Sequence, residues 1–531
     1  MSKTTRAVNA TVSYVDDRTS IGGFVKFFSR KIFPDHWSFM LGEVALYSFI
    51  ILLITGVFLT GYFVPSVGHI TYEGSYEPMQ GLEMSEAFAS TLHLSFDVRG
   101  GLLMRQMHHW AALMFTAAIV VHMMRVFFTG AFRKPRELNW LVGFTLMVLS
   151  LAAGFTGYSL PDDVLSGNGL RIIDGVVKSV PFIGSYTSYW LFGGEFPGEA
   201  IIPRLYTAHV LLVPALILAL IGLHLVLVFL HKHTQYPGGG RNHRNVVGLP
   251  LFPVYTAKAG GFFFVVFGAI ALMAAVFTIN PVWNYGPYDP SPVSAGTQPD
   301  WYILFVDGLL RMMPGQPEYV IGGYTLSLNI LIPAVVVPGI LFAFVALYPW
   351  IEAMATKDRG ERHVLDRPRN APVRTGIGVA IITFYYITVL AGSNDIIAGY
   401  FSMSINDLTW AFRILVFVLP VFAFWVTKRI CLGLQRKDRE LTLHGHETGR
   451  VVRSEDGEYR EIHRELDEQE VWVRVQHDVE RPLDFGPEHN EAGVQQPWWR
   501  WKKARAALSR FYFDERVEPV TPQEREEAEH H

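Results

Sequence analysis

Four histidines lie within long hydrophobic segments of the sequence, in two pairs with almost the same spacing. His108 and His122 are fourteen residues apart, and His209 and His224 are fifteen apart. Ionisable side chains are rare in apolar membrane segments and are functional candidates there. Neutral imidazole is a good axial ligand for haem iron, and coordination by two histidines leaves no open position for small-molecule chemistry. The pairs therefore predict sites built for electron transfer.

Helical geometry places the two histidines of each segment on roughly one face. At 100° and 1.5 Å per residue, fourteen steps fall about 40° short of four turns and fifteen pass them by about 60°, with rises of about 21 and 23 Å. Both helices are predicted to run from outside to inside, so His108 should meet His209 at the outer depth and His122 should meet His224 deeper. Two bis-histidine sites stacked across the bilayer are the expected result.

Glycines repeat the same interval on two further segments. Gly42 and Gly56 are fourteen residues apart, and so are Gly143 and Gly157. A missing side chain at the depth of each haem would let a flat macrocycle press against the backbone. Glycine is also common in membrane helices for ordinary close packing, and this alternative stays open for each pair taken alone.

The segments that carry these residues indicate a membrane protein. Half of the 531 residues are hydrophobic, and they form eight stretches long enough to cross a hydrocarbon core of about 30 Å. The stretches run approximately from Ser38 to Val64, Leu103 to Thr129, Leu138 to Leu160, Leu205 to His231, Gly260 to Ile279, Leu326 to Trp350, Arg374 to Ala398 and Leu408 to Ile430. The predicted fold is an all-α integral membrane protein with eight transmembrane helices, the first four forming a di-haem four-helix bundle.

Lysine and arginine concentrate in alternate loops, and this asymmetry predicts the orientation of the chain. Lys26 precedes the first helix, and Arg133, Arg241, Arg367 and Lys428 represent the basic loops that follow the second, fourth, sixth and eighth helices. Both termini are therefore expected to be cytoplasmic. The predicted divisions are a cytoplasmic segment 1–37, a di-haem domain 38–250, a second membrane domain 251–432 and a charged cytoplasmic tail 433–531.

The tail offers two predicted elements. A short strand pair is expected around Glu470 to Val479, and the stretch Trp498 to Phe513 mixes tryptophan with arginine and lysine. This composition fits a helix lying on the inner leaflet, and it fits a solvated or partner-docked amphipathic helix equally well.

Several motifs resemble the cytochrome b family of respiratory and photosynthetic quinol oxidases. They are Arg105-Gln-Met-His108, His122-Met-Met-Arg125, Gly157-Tyr-Ser-Leu-Pro161 and Pro299-Asp-Trp-Tyr302, and the resemblance covers about residues 35 to 430. In that family the two arginines neighbour haem propionates, which an arginine fork can bind bidentately. Boundary residues that reach to water are the alternative for Arg105 and Arg125. The resemblance also implies a low-potential outer haem and a high-potential inner haem.

An outer quinol site is implied by the same resemblance. Its expected residues are Tyr158, Pro161, Asp300, Trp301, Tyr302 and Asp307. In the family, a glutamate of this signature is implicated in taking a proton from quinol, and here it is the shorter Asp300. Asp307 is a second carboxylate that could share this work, and a helix N-cap is the alternative role for Asp300.

An inner quinone site is implied by Tyr255-Thr-Ala-Lys258-Ala259. Lys258 matches a family position that lines this site, but the acid that usually follows the lysine is Ala259 here. Proton uptake must then use another group, and His231 and His233 are the candidates.

Partners and substrate follow from the family branch. The single cysteine, Cys431, excludes a Cys-ligated iron–sulfur cluster and the attachment of c-type haem within this chain. A Rieske subunit and a c-type cytochrome subunit are therefore expected beside it. The fifteen-residue spacing resembles the photosynthetic branch, whereas the undivided chain and long tail resemble the actinobacterial respiratory branch. That branch implies menaquinol and an aa-type oxidase partner in a bacterial plasma membrane, with membrane lipid and no nucleic acid as surroundings.

The predicted activity is that of a quinol–cytochrome c reductase subunit working by a Q-cycle. One alternative is a haem-bearing anchor of another dehydrogenase, which usually needs only four or five helices and no Pro-Asp-Trp-Tyr segment. A proton-coupled transporter is another, but it predicts no haem, and it favours broken helices in inverted repeats.

Overall fold

The computed structural model describes residues 3–291, 297–357, 360–475, 481–513 and 515–529. In these ranges eight helices are long and apolar enough to cross a membrane, which confirms the predicted number. They are Trp37–Thr60, Gly101–Phe128, Glu137–Tyr158, Ile201–His231, Leu251–Val276, Leu328–Thr356, Pro372–Gly392 and Ile405–His444, here called spans one to eight.

The last two spans end at different places from those predicted. Span seven stops at Gly392, and a separate helix, Asn394–Phe401, follows it. Span eight continues as one helix through the predicted domain boundary at residue 432, because the polar sequence beyond is rich in good helix formers. Gly445, with a φ of 80°, ends it.

The spans pack as neighbouring pairs around a shared core. Span one packs on span two, span three on span four and span seven on span eight, while span five covers spans one and two. Phe49, Phe115, Phe144, Ile217 and Tyr348 are buried where spans one to four meet span six. Spans one to four thus form one packed group.

Shorter elements cover both ends of the spans. The side that carries the loop between spans two and three is called inner below. At the outer side lie helices Glu86–Phe96, Val164–Lys178, Gly184–Phe192, Val282–Tyr285, Leu304–Met312 and Asn394–Phe401, with hairpins of His69–Thr71 and Glu83–Ser85, and of Glu318–Ile321 and Tyr324–Ser327. At the inner side lie helices Lys3–Thr19 and Ile21–Ser29, and strand Ile32–Phe33 paired with Leu249–Pro250.

The tail differs from its prediction. Its hairpin is formed by His446–Arg453 and Tyr459–Arg464, so the strand pair predicted around Glu470 to Val479 is wrong in its described part. There a capping box of Asp467 and Glu470 starts helix Glu468–Arg474 instead, and residues 476–480 lie outside the described ranges. Helices Trp499–Phe513 and Pro522–Glu529 complete the tail.

The tail helix Trp499–Phe513 docks on this chain. The hydroxyl oxygens of Tyr512 and Tyr348 are 3.0 Å apart, and Arg505 Nη2 donates to the Met354 carbonyl at 3.1 Å. Phe511 stacks on Phe424 of span eight, with ring centroids 5.9 Å apart. The inner ends of spans six and eight are therefore its partner.

Candidate functional site

The four histidines form two facing pairs. The ring centroids of His108 and His209 are 6.1 Å apart at an interplanar angle of 72°, and those of His122 and His224 are 6.4 Å apart at 73°. Two metal–imidazole bonds of about 2.0–2.1 Å would fill about 4 Å of such a separation, and the remainder is the reach from each centroid to its nitrogen. Each pair is spaced to hold one metal ion between two imidazoles.

A π-helical turn reconciles the unequal histidine spacings. Span four contains the turn Ala208–Leu212, which includes His209. Such a turn adds one residue to an α-helix and is frequent at functional sites. The fifteen residues from His209 to His224 therefore cover about the rotation of fourteen α-helical residues. The two pairs consequently have nearly the same geometry at both depths.

Hydrogen bonds orient the outer histidine rings. Thr55 Oγ1 donates to the Ile51 carbonyl at 2.7 Å and lies 2.9 Å from His108 Nδ1, so the ring nitrogen is the donor to that oxygen. Nδ1 of His209 donates to the Ala153 carbonyl at 3.0 Å. A protonated Nδ1 leaves Nε2 free to coordinate a metal. Nδ1 of His122 has no hydrogen-bond partner among the described residues, whereas the His224 ring interacts with the Asn139 backbone carbonyl.

Each of the four predicted glycines lies opposite one of these rings. A Cβ atom would lie 3.2 Å from His122 Cε1 if built on Gly42, 3.3 Å from His108 Cε1 on Gly56, 3.7 Å from His224 Cε1 on Gly143 and 2.4 Å from His209 Cε1 on Gly157. The glycines thus leave space beside the four imidazoles, and their packing against the macrocycle stays a prediction.

Two buried arginines hold unused donors near the two pairs. Arg105 Nη2 donates to the Asn280 carbonyl at 2.7 Å, whereas its Nη1 has no partner among the described residues. Nε and Nη2 of Arg125 are equally unpaired there, and its guanidinium lies 4.3 Å from the Phe39 ring centroid. Buried donors without acceptors fit an anionic ligand group such as a carboxylate.

A cavity of about 270 Å³ joins the outer histidine pair to the outer loops. Tyr158, Pro161, Asp300 and Tyr302 of the predicted quinol site line it together with Arg105. The Tyr302 hydroxyl donates to Asp300 Oδ2 at 2.8 Å. The cavity therefore places a carboxylate and a phenol beside the outer imidazoles.

Asp300 does not cap a helix, because helix Leu304–Met312 begins after Ile303 and the Asp300 carboxylate accepts from Tyr302. Burial raises the pKa of Asp300, and the hydrogen bond from Tyr302 lowers it. A carboxyl whose pKa is raised towards neutrality suits a proton acceptor.

Trp301 and Asp307 lie outside the cavity lining. The Trp301 carbonyl accepts from the Tyr385 hydroxyl at 3.0 Å. Asp307 Oδ2 accepts from Arg311 Nε at 2.7 Å, and Arg311 Nη1 lies 3.0 Å from Asp395 Oδ1. Trp301 is thus bonded to span seven, and Asp307 is bonded within its own helix to Arg311, which reaches the helix Asn394–Phe401.

Sequence reasoning missed three residues of the outer region. Thr55 and Thr156 each precede one of the two outer glycines, and this repeated Thr-Gly pair was a usable signal. Asp163 is fully buried, and its side chain accepts from the Leu165 amide at 3.1 Å. Burial raises the pKa of Asp163 to about 6, against hydrogen bonds and the charge of Arg105. The sequence pattern that could have identified Asp163 is the capping box that it forms with Ser166.

An aromatic cluster around Phe33 lies among the predicted inner-site residues. The ring centroid of Phe33 is 4.3 Å from that of His233 and 4.8 Å from that of Tyr255. Lys258 follows Tyr255 on the same span and forms an ion pair with Asp35. His233, Phe33 and Tyr255 therefore form one aromatic wall, and Lys258 lies three residues beyond it in the chain.

His231 occupies a different place. Its backbone carbonyl accepts from Arg136 Nη2 at 3.0 Å, and its Nδ1 is buried without a hydrogen bond to the described residues.

Burial and the cations Arg136, Arg125 and Lys31 lower the pKa of His233 to about 4. His233 is therefore neutral at physiological pH.

Eight membrane spans with facing imidazoles inside the first four define a membrane cytochrome of the b type. The family described as Cytochrome b(N-terminal)/b6/petB matches residues 113–287. The cytochrome bc1 complex cytochrome b subunit of Streptomyces coelicolor is 54% identical over 509 residues, 96% of this chain and 93% of that protein. The corresponding subunit of Mycobacterium tuberculosis is 51% identical over 438 residues, 82% of this chain and 79% of that protein.

A solved structure supports the fold. A chain of a hyperthermophilic respiratory Complex III is 22% identical, with a TM-score of 0.59 and coverage of 80% of this chain and 99% of that one.

The chain belongs to the cytochrome b subunits of the cytochrome bc1 complex. It is a multi-pass membrane subunit of a quinol–cytochrome c oxidoreductase in respiratory electron transport, as predicted. Membership implies haem b and quinone as its redox groups, and a Rieske protein and a c-type cytochrome as partners.

Proposed function

We propose that this chain binds one haem b between His108 and His209 near the outer face and a second between His122 and His224 near the inner face. The observation that carries this proposal is the pair of facing imidazoles at each depth, with centroids 6.1 and 6.4 Å apart. When bound, the haems supply one-electron transfer, because two axial imidazoles leave no open coordination position. Electrons from quinol then cross the membrane between the two sites.

Side chains around the histidines complete the two haem sites. Arg105 and Arg125 offer unpaired buried donors to the propionates, and Gly42, Gly56, Gly143 and Gly157 leave space for the ligand rings. The hydrogen bond from His108 Nδ1 to Thr55 makes that imidazole a stronger electron donor. This supports a lower potential at the outer site than at the inner one.

Quinol is oxidised in the outer cavity. Asp300 accepts a quinol proton, Tyr302 orients the carboxylate, and Tyr158 and Pro161 shape the cavity. Trp301 and Asp307 keep the segment in place through Tyr385 and Arg311. Quinol loses two protons, which leave to the outer side, and two electrons, of which one passes to the Rieske partner and the other to the outer histidine site.

Quinone is reduced near the inner face beside Lys258 and His233, with His231 in the surrounding shell. Protons enter there from the inner side, so the opposite proton release and uptake of a Q-cycle contribute to proton-motive force. The aromatic contacts of Phe33 with Tyr255 and His233 support a site for a flat ring.

The biological setting is that of the actinobacterial branch. Relatives from Streptomyces, Corynebacterium and Mycobacterium support it, and with it menaquinol as substrate and an aa-type oxidase as a further partner. Both termini are assigned to the cytoplasm of a bacterial cell, because the N-terminal strand pairs with the basic loop between spans four and five, and the tail helix docks on the same side. Family membership disfavours the dehydrogenase anchor and the transporter.

The test is the quinol–cytochrome c reductase activity of the purified complex carrying Asp300→Asn, assayed with a menaquinol analogue over a pH series. Positioned proton acceptors contribute about 10²-fold or more, so we expect about a hundredfold loss with both haems retained. Because burial raises the pKa of Asp300, the wild-type rate should fall as pH falls through that pKa, and the variant should lack this acid limb.

Asp289→Asn is the matched control, since Asp289 is an exposed aspartate of the same outer loop and lies outside the cavity lining. Its rate should stay within about twofold of wild type, because it contributes no catalytic proton transfer. The proposal would be contradicted if the wild-type complex did not oxidise quinol. It would also be contradicted if the Asp300→Asn complex had the rate and pH profile of the wild type.

A further inference from the structure

A carboxylate at the inner end of span one lies beside two tyrosines. Glu43 lies in the first turn of helix Met40–Thr60. Tyr255 of span five donates its hydroxyl to Glu43 Oε1, and the Tyr47 hydroxyl, which donates to the Ala259 carbonyl at 3.0 Å, lies 3.3 Å from Glu43 Oε2. The preceding residue, Gly42, faces the His122 ring. The sequence thus places a carboxylic acid next to the glycine that faces His122, and a tyrosine of span five holds it.

An exposed ion pair lies next to this carboxylate. Asp35 and Lys258 pair with side chains 47% and 41% exposed, so both reach water on the inner side. Asp35, Lys258, Tyr255 and Glu43 line one cavity of about 10 Å³, which is close to the space of a single water molecule. The cavity therefore connects the exposed pair with the enclosed carboxylate.

The same cavity adjoins the aromatic wall of the inner region. Phe39 lines it and lies under the Arg125 guanidinium at 4.3 Å, and Phe33 contacts the Tyr255 ring at 4.8 Å. Flat apolar side chains next to a few convergent polar groups are typical of a ligand site. An acid in this position can reach a quinone oxygen from the wall of the site.

We propose that Glu43 is the proton donor of the inner quinone site, and that it is recharged from the inner aqueous side through Lys258 and Asp35. The inference rests on the inner site of the proposed function. A quinone that gains two electrons by way of the inner histidine site needs two protons to become quinol. Glu43 gives its carboxyl proton to one quinone oxygen and becomes a carboxylate. It then takes one proton back through the ion pair and repeats the transfer to the second oxygen.

This assignment supplies the acid that Ala259 lacks. His233, a candidate from the sequence, is neutral at physiological pH because burial and three cations lower its pKa to about 4, so it holds no ready imidazolium proton. Asp35, His36, Tyr255 and Lys258 line the cavity together with Glu43, and the Tyr47 hydroxyl lies 3.3 Å from Glu43 Oε2. Further out, Arg125 lies over Phe39, His122 faces Gly42, and His233 contacts Phe33.

The test isolates the inner site in the assembled complex. In an Asp300→Asn background, which slows entry at the outer site, a menaquinol analogue should reduce the inner haem by the reverse of quinone reduction. Glu43→Gln should slow this reduction about tenfold or more and flatten its dependence on pH. Ala259→Asp, which restores the acid next to Lys258, should recover part of the rate in the Glu43→Gln protein.

Glu137→Gln is the matched control, since Glu137 lies in the first turn of span three at the same side but lines no part of the cavity. It should behave as the background protein does. Asp35→Asn, at the water-exposed end of the proposed proton path, should also slow the reduction. If Glu43→Gln loses inner haem, the rate of Asp35→Asn carries the test in its place. Unchanged rates and pH profiles in Glu43→Gln, or in Asp35→Asn if that variant carries the test, overturn the relay. A background protein whose inner haem is not reduced at all overturns the inner quinone site itself.

Discussion

At the residue scale, the two histidine pairs differ in what holds their rings. Thr55 and the Ala153 carbonyl accept from Nδ1 of His108 and His209, whereas Nδ1 of His122 has no such partner in the described ranges. An acceptor at Nδ1 fixes the tautomer and raises the basicity of the coordinating nitrogen. The outer site is therefore the more tightly specified of the two.

The glycines predict a difference between two changes of the same kind in span three. Gly157→Ala should displace His209, because the new Cβ would lie 2.4 Å from its Cε1 atom. Gly143→Ala places a Cβ 3.7 Å from His224 Cε1, an ordinary contact, and should be tolerated. We expect the first variant to lose at least half of its outer haem and the second to keep both haems, as measured by haem quantitation and redox difference spectra.

Gly222→Ala controls for the loss of a membrane glycine as such, because a Cβ there meets no atom within 4 Å. Equal haem content in Gly157→Ala and Gly143→Ala would show that the ring contact does not decide haem binding.

The histidines and glycines could be identified from the sequence, because the number of residues between them does not depend on where each helix begins or ends. It did not reach Thr55 or Asp163, since a threonine or an aspartate has a common structural role in most sequences. The alternative N-cap role of Asp300 needed coordinates as well, because only the start of the helix at Leu304 rules it out.

At the element scale, charged side chains join span six, span seven and two inner loops. Asp366 accepts from Arg374 Nη2 at 2.6 Å and pairs with Arg133 Nη2 at 2.9 Å, while Arg374 Nη1 donates to Glu352 at 2.8 Å. Burial raises the pKa of Asp366, but the two guanidinium groups outweigh it and hold the pKa at about 2. The cluster therefore ties the inner ends of the two membrane domains together.

Asp366→Asn should destabilise the protein by about 2 kcal/mol at neutral pH, the free energy equivalent of the pKa shift from 3.8. A carboxylate whose pKa is lower in the folded protein than in the unfolded chain stabilises the fold at pH values above its unfolded-state pKa. This stabilisation is lost as the pH falls through the folded-state pKa. Thermal unfolding in detergent should thus separate variant from wild type at neutral pH and bring them together as pH falls from about 4 to about 2.

The exposed Asp456, in the turn of the tail hairpin, provides the control variant Asp456→Asn. An Asp366→Asn protein as stable as that control at neutral pH would argue against the ion-pair cluster as a link between spans six and seven.

The sequence predicted the number and order of the spans, since the length and position of the apolar stretches determine both. The π turn at Ala208–Leu212 was out of reach, because no residue type marks it, and with it the reason why fifteen residues act as fourteen. The tail helix Glu468–Arg474 was mistaken for a strand because its capping residues, Asp467 and Glu470, were overlooked.

At the scale of the whole molecule, the chain separates two tasks. Spans one to four hold the imidazole pairs, and the outer segment before helix Leu304–Met312 supplies the acid of the outer cavity. Spans seven and eight pack on each other, and the tail helix Trp499–Phe513 docks at the inner ends of spans six and eight. Electron transfer is thus assigned to rigid helices, and proton exchange to loops and helix ends that reach water.

The most direct test of the account is haem quantitation by pyridine haemochrome, with a redox titration, on wild-type complex beside His122→Ala and His209→Ala. His93→Ala, at an outer side chain 55% exposed, is the control. Two haem b per chain in the wild type and control, with a different component lost in each of the two variants, is the predicted result. A wild type with fewer than two, or two variants that lose the same component or none, would contradict the paired-histidine sites.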